Sequence, residues 1–548
     1  LSGADFQHEA NCVPENSSDT FCFTLKSGEK AALEKHASFY TNIETEGSKL
    51  ASSAKSEVLE SADDGFQTLK TEQADFWADH WKYGDVQIEG NASDQQAMRL
   101  SLFHLRQGTP TDGYRSVGAN SLTGDKYCGH VFWDTEMYVE PCLAYLDPSL
   151  VKPLLMYRYN ILDKARERAI QMEGKGALYS WNSISGEECG VVFEAATAEY
   201  HLESAIAWAV KRYVDQSGDQ DFLYEYGAEM LFETARFLED RGAYVPWKKQ
   251  QFCLNAVCGP DEYGCAVNNN CYTNMMTQWH LEYAANIHAE MEEKSPELLA
   301  ELKKKIGLEQ SEVEAWREAA RRMYVPYNEA LGIHEQDDSF LSLDPVDMSK
   351  VPLNKDIREE HHPLNLWRMQ VAKQADVVLL MFVRGELFDL ETKRRNYDFY
   401  EARTCHGSSL SACIHSIVAA EVGLADHAYA YFHQSARMDM CDFKDNTSAG
   451  VHTACLGGTW MALVQGFAGM RDYSDGLHLA PRLPNEWKGY AFHLMYRANR
   501  IKISVDKDGC TCRLVDGEGL DIHTDASVNR LDRDNSEIKC DLLPWTDT

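Results

Sequence analysis

The chain has 548 residues, 44% hydrophobic and 11% aromatic, which describes a globular protein with room for several domains and a large core. Its 53 basic and 86 acidic residues give a net charge of -33, which argues against nucleic acid and anionic membrane surfaces as partners and makes any phosphate site a local exception to the field. No run of eighteen apolar residues and no charged-then-apolar leader occurs, so neither a membrane span nor a signal peptide is expected; the chain starts at Leu1 without Met, as a processed or incomplete product would.

In chain order, residues 1 to about 25 are polar and irregular, with 21–25 readable as a strand. Residues 28–81 are expected to be helical, because Val58, Leu59, Ala62, Phe66, Leu69, Phe76, Trp77 and Trp81 recur at three and four. From Ser93 onward amphipathic helices follow one another: 95–107 capped by Ser93, 148–174 opened by Pro148, 195–215, 222–239, 275–293, 311–323, 408–422, 425–438 and 449–469. Long loops such as 336–366 separate some of them. Paired helices with long loops on one side predict a closed α-helical toroid whose loops build the site. After Pro481-Arg482-Leu483-Pro484 the texture changes to period-two alternation at 490–496 and 501–505, with Asp508-Gly509 as a turn, which predicts a small C-terminal β-domain.

Sixteen Cys are too sparse for a disulfide scaffold of this length, and no CxxC pair occurs, so no metal site is expected. The expected compartment is reducing and cytoplasmic; the N-x-S/T sequons at Asn16, Asn91 and Asn446 are weak evidence for secretion.

Chemistry concentrates in short strings. Val257-Cys258-Gly259-Pro260-Asp261-Glu262-Tyr263 presents two carboxylates and a Tyr on a Gly-Pro turn, ahead of an Asn run and a helix that Thr273 or Asn274 would cap. A carboxylate hemmed in by Tyr263 and Val267 is placed to keep its proton, and glycosidic-bond cleavage needs such a donor. An isolated Asp-Glu would more often be an ordinary acidic turn. Gly129-His130-Val131-Phe132-Trp133-Asp134 joins an aromatic face to a carboxylate, suited to stacking on a sugar and bonding its hydroxyls, although alone it would more often be a buried Trp beside an N-cap. Lys373-Gln374 alone is only a polar helix start. His406-Gly407-Ser408-Ser409 opens a helix with backbone N–H groups and hydroxyls directed at one spot, which is an anion pocket in outline and an ordinary Ser N-cap as the commoner alternative.

GHVFWDTE, SISGEECG, GPDEY with VNNNCYTN, KQADVVLL, HGSSLS and NTSAGVHTACLGGTW occur in order between about residues 30 and 505. Together they resemble the inverting α-glucoside phosphorylases of glycoside hydrolase family 65, the maltose, trehalose, kojibiose and nigerose phosphorylases and their relatives. The resemblance implies an (α/α)6 barrel at 93–474, preceded by a remnant β region at 1–27 and linker helices at 28–92, and followed by a β-domain at 475–548. It implies Glu262 as general acid. Trp133, Asp134, Glu188, Lys373 and Gln374 would hold the glucosyl unit, and His406, Gly407, Ser408, Ser409 and His452 the phosphate. The implied partners are a small sugar and phosphate, with inorganic phosphate as co-substrate and no other cofactor. The family's large N-terminal β-sandwich is almost wholly absent from this chain. Assembly is therefore open between a homodimer and association with a separate chain that carries that domain.

The family also contains hydrolases. An inverting hydrolase needs a second carboxylate about 6.5–9.5 Å from the acid to activate water, whereas a phosphorylase needs an anion cradle. The HGSS string supplies the cradle and no acidic residue lies between Ala402 and Val422 except Glu421, so phosphorolysis of an α-glucoside to β-glucose 1-phosphate is the expected reaction. The alternatives are an inverting α-glucosidase or trehalase and a catalytically silent sugar-binding subunit.

Overall fold

The computed structural model describes residues 5–14, 16–190, 198–525 and 527–546. The start of the expected helix at 195–215 lies outside them. The chain divides into two units, residues 1–82 and 83–548.

In the first unit Phe6–Val13 and Asn16–Phe23 pair as an antiparallel hairpin. The helix expected from residue 28 begins only at Leu50–Gly84, behind a single 3-10 turn at Gly47–Lys49. In residues 28–46 Leu33, Phe39 and Ile43 stay exposed, and apolar spacing without packing does not sustain a helix. The expected stripe exists further on, yet Leu59, Phe66 and Phe76 remain exposed, and Gly65 breaks the helix at φ 75°.

In the second unit, six inner helices close on themselves: 135–146, His201–Ser217, Cys271–Lys294, Val377–Val383, Ser411–Glu421 and Thr453–Met461, each touching the next and the last touching the first. Six outer elements lie against them: Ala92–Gly108, the pair Val151–Asn160 and Leu162–Gln171, Ala228–Arg241, Gln310–Arg321, Leu390–Glu401 and Ala425–Ala436. This is the expected (α/α)6 barrel. The inner helices are apolar on nearly every side because they meet neighbours all round; every residue of Val377–Val383 and of Thr453–Met461 is buried. Two close crossings need glycine. A Cβ at Gly457 would collide with the Tyr138 carbonyl, and one at Gly458 with the Cys413 thiol.

Local rules account for most boundaries. The expected long helix at 148–174 is split where Ile161 leaves helical geometry. Asn91, rather than Ser93, caps the first barrel helix, its side-chain oxygen accepting from the N–H groups of Ser93 and Asp94 at 3.2 and 3.1 Å. Asn91→Ala is expected to cost about 1 kcal/mol, read as a lower denaturant midpoint at unchanged slope. Asn270 likewise caps Cys271–Lys294 by accepting from Thr273 N–H at 2.9 Å.

The C-terminal region forms two sheets. One contains Arg471–Tyr473, Gly476–His478, Gly519–His523 and Val528–Asp532 in that order. The other contains Glu537–Cys540, Gly509–Asp516, Asn499–Asp506, Gly489–Tyr496 and the early strand Gln87–Glu89. Strand Gly489–Tyr496 alternates buried and half-buried residues, as the period-two pattern requires. No helix among the described residues is long and apolar enough to cross a membrane.

Candidate active site

Chain order makes one end of the barrel chemically dense. Each outer helix leads into its inner partner through residues 109–134, 172–200, 242–270, 322–376, 402–410 or 437–452, whereas the returns from inner to outer helices are mostly shorter. The six outer-to-inner loops therefore gather at the N-termini of the inner helices, where unpaired N–H groups and helix dipoles favour anions.

These loops are tied to one another in a ring. Val131 bridges to Ser183, and Cys258 N–H donates to the Ala198 carbonyl at 2.9 Å. Lys373 N–H donates to Asp261 Oδ1 at 2.8 Å, and Gly407 N–H donates to the Lys373 carbonyl at 2.9 Å. Lys444 Nζ donates to the His406 carbonyl at 2.9 Å, and Asn120 closes the ring on the Val451 carbonyl at 3.0 Å. Residues far apart in sequence thus hold a shared geometry.

Of the two carboxylates on the Gly-Pro turn, Asp261 is a latch. It accepts from the N–H groups of Tyr263 and Lys373 and from Gln336 Nε2, and burial raises its carboxyl to about 6 despite those bonds. Glu262 is the less buried of the pair, its side chain 20% exposed, and its state differs from the sequence-based expectation. Lys373 Nζ lies 2.9 Å from one oxygen and Arg358 Nη1 2.7 Å from the other. Burial pushes this carboxyl up, but Lys373 and then Arg358 outweigh it, so Glu262 sits below the usual carboxylate range in the free protein.

Asp134 behaves in the opposite way. It makes no side-chain cap bond to the helix it precedes, and burial, reinforced by Glu262 and Glu136, raises it to about 7. Trp133 is 2% exposed and packs edge-on to His201, with ring centroids 4.5 Å apart, in a cluster with Trp181 and Tyr272. Gln374 donates to the Pro260 carbonyl at 2.6 Å, leaving its buried Oε1 without a protein partner among the described residues. Glu188 spends its carboxylate on the N–H groups of Trp181 and Gly190 and on Arg168, so it staples the loop bearing Trp181 rather than offering a free oxygen pair.

The HGSS turn lies against the acid loop. Gly407 packs so closely on Lys355, Asp356 and Tyr263 that a Cβ would come within 2.7 Å of the Lys355 carbonyl. The helix starts at Ser411 instead of Ser408, and Gly407 N–H is already bonded to Lys373, so the open donors are those of Ser408 and Ser409. Ser408 Oγ accepts from Leu410 N–H, while the Ser409 hydroxyl has no partner among the described residues. Both ring nitrogens of His406 are engaged, by Ser411 Oγ and the Tyr431 hydroxyl, each at 2.9 Å. His452 is similarly engaged by Asp439 and Asn446. Both imidazoles thus spend their ring nitrogens on bonds within the loop ring.

Three groups are not legible from the motifs. Arg358 and Asp356 come from the long 322–376 loop; Asp356, bonded by Arg358 and the Tyr263 hydroxyl, is held at about 2. Lys444 donates only to the carbonyls of Asn354 and His406, and among the described residues no carboxylate pairs with it. Burial lowers its ammonium to about 8. This half-buried ammonium meets only carbonyls, so no carboxylate among the described residues compensates its charge.

The profile of the glycosyl hydrolase family 65 central catalytic domain matches residues 99–461, and that of the family 65 C-terminal domain matches residues 470–527. The chain is 44% identical over 499 residues to an α,α-trehalose phosphorylase of Thermoanaerobacter brockii, covering 91% of this chain and 64% of that protein. It is 42% identical to an α,α-trehalose phosphorylase of Geobacillus stearothermophilus, covering 97% and 69%, and 35% identical to a maltose phosphorylase of Bacillus subtilis (strain 168), covering 90% and 64%. A solved structure of a human-microbiome protein named as a kojibiose phosphorylase superposes with a TM-score of 0.84 at 30% identity, covering 90% of this chain and 68% of the other. The chain spans about two thirds of the length of these curated relatives. The barrel, its ring of loops and these matches together place the chain in glycosyl hydrolase family 65.

Proposed function

We propose that this chain carries the catalytic apparatus of a disaccharide phosphorylase: an α-linked glucoside and inorganic phosphate give β-glucose 1-phosphate and a free acceptor, with inversion. The observation that carries the reading is the anion-ready corner formed by Lys444, the N–H groups of Ser408 and Ser409, and the Ser409 hydroxyl beside the Glu262 loop. Two carboxylates beside the turn are spent. Glu401 is held by His415 at 2.5 Å and by the Tyr431 hydroxyl, and Asp356 by Arg358 and Tyr263. Asp134 and Glu199, both raised by burial and by the nearby charge of Glu262, are not, so the reading rests on the anion corner and not on a lack of carboxylates.

In this reading Glu262 protonates the glycosidic oxygen while phosphate attacks the anomeric carbon from the opposite face. Trp133 shapes the wall of the glucosyl pocket, and Asp134, Lys373 and Gln374 bond its hydroxyls. Because the relatives at 44% and 42% identity are named α,α-trehalose phosphorylases, trehalose is the first substrate to test. Incubation with trehalose should release glucose and β-glucose 1-phosphate in equal amounts, at a rate that rises and saturates with phosphate. Equal glucose release in phosphate-free buffer would point to hydrolysis. Sugar binding without turnover across a panel of α-glucosides would point to a silent sugar-binding subunit.

A further inference from the structure

Closely spaced cysteine pairs of the CxxC type do not occur in the chain, but folding assembles a different donor set on the C-terminal sheet. Strand Gly476–His478 runs parallel to strand Gly519–His523, and His478 and His523 are register partners. Their rings lie nearly parallel, at 21° with centroids 4.3 Å apart. Asp475, in the turn before the first of these strands, directs one carboxylate oxygen at each: Oδ1 is 2.8 Å from His478 Nε2 and Oδ2 is 3.7 Å from His523 Nδ1. One donor atom from each of the three residues falls within 4.8 Å of the others.

We propose that Asp475, His478 and His523 form a binding site for a divalent transition-metal ion of the zinc class. Two imidazoles with one carboxylate are a donor set suited to such an ion, with water filling the remaining positions. The surroundings orient the donors. His523 Nε2 lies 3.0 Å from the Asp475 backbone carbonyl, so that nitrogen carries the hydrogen and the Nδ1 lone pair is left facing the carboxylate. A metal-binding imidazole is oriented in this way, by giving its other N–H to a carbonyl. Gly476 keeps the turn close: a Cβ there would stand 3.1 Å from His523 Nε2. Neutral His478 becomes a ligand by moving its proton from Nε2 to its other nitrogen and turning its ring out of the stack, so that both lone pairs point at one ion.

A second group, Glu401, His406 and His415, also brings its donor atoms together. His406 and His415 are buried and Glu401 nearly so. Glu401 is bonded to His415 and Tyr431 and His406 to Tyr431, and they belong to the site described above. The Asp475 group differs because it is accessible, with His478 29% and His523 17% exposed at the side chain. An ion there would clip the turn at Asp475 to the strand ending at His523 across 48 residues of chain.

Calorimetric titration of the metal-stripped full chain with Zn2+ tests this. The expected result is binding that includes one equivalent removed by the double substitution His478→Ala with His523→Ala. Asp475→Asn should weaken that equivalent by at least about tenfold, in the range that loss of a group supporting a metal site usually costs. Thermal melting without metal establishes that the variants fold, since all three side chains are at least partly exposed. Addition of Zn2+ should raise the melting temperature of the wild type and not of the double variant. Equal stoichiometry in wild type and double variant, or no Zn2+ binding by the wild type, would overturn the proposal.

Discussion

Replacing Glu262 by Gln should lower the turnover of an unactivated α-glucoside by about 10²–10⁴-fold while leaving sugar binding nearly intact. The amide keeps the size of the side chain and the loop is held by Asp261, not by Glu262, so the substitution removes the proton donor without dismantling the turn. A sugar with a good leaving group depends less on protonation and should lose much less activity. Near-normal rates on unactivated substrates would reject Glu262 as the acid.

The clamp on Glu262 adds a pH signature. A general acid must carry a proton, yet Lys373 and Arg358 stabilise the ionised carboxylate in the free protein. The quantity kcat/KM reports the free enzyme, so it should fall as pH rises through that lowered pKa. The quantity kcat reports the complex. Phosphate bound in the Lys444 corner adds negative charge beside the acid loop and so favours the protonated carboxyl. The alkaline limb of kcat should therefore lie at higher pH than that of kcat/KM. Arg358→Leu removes one cation and should move the alkaline limb of kcat/KM upward. Profiles of the variant and the wild type that superpose would show that Arg358 does not set the state of the acid.

How much of this is legible in sequence follows from where each signal resides. The site strings are visible because each packs its chemistry into a few residues directly ahead of an apolar helix. The six-hairpin barrel is visible for the same reason, since amphipathic outer helices carry the 3.6-residue period. Val377–Val383 is not distinguishable from a buried strand, because a short run that is apolar on every side has no period. The ionisation of Glu262 is also hidden. Tyr263 and Val267 beside it suggest a proton held by burial, but the deciding cations sit 96 and 111 residues away in sequence. Arg358 and Lys444 lie in loops of ordinary charged composition, and only folding separates them from the many solvated charges of this chain. His406 and His452 show how folding adds bonds that a motif does not display. Their motif positions suggest contact with phosphate, and their ring nitrogens also make bonds that hold the loops.

That distribution directs the test of the anion site to Ser409. Its hydroxyl lacks a partner among the described residues and its N–H is open, whereas Gly407 N–H is engaged by Lys373. A hydrogen bond to a charged group typically contributes about 1.5–3 kcal/mol, so Ser409→Ala should raise the phosphate KM by roughly 10–100-fold. The sugar KM should change far less, because the hydroxyl belongs to the anion corner. Net charge does not oppose this site: at physiological ionic strength the surface field is screened within about 8 Å, while Lys444 and the backbone donors act at contact. Lys444→Met should act in the same direction as Ser409→Ala, and its effect should grow as pH falls through about 8, where the wild-type amine takes up its proton. If Ser409→Ala raised the sugar and phosphate requirements equally, the turn would be a general support for the pocket and the phosphate contacts would have to be sought elsewhere in the loop ring.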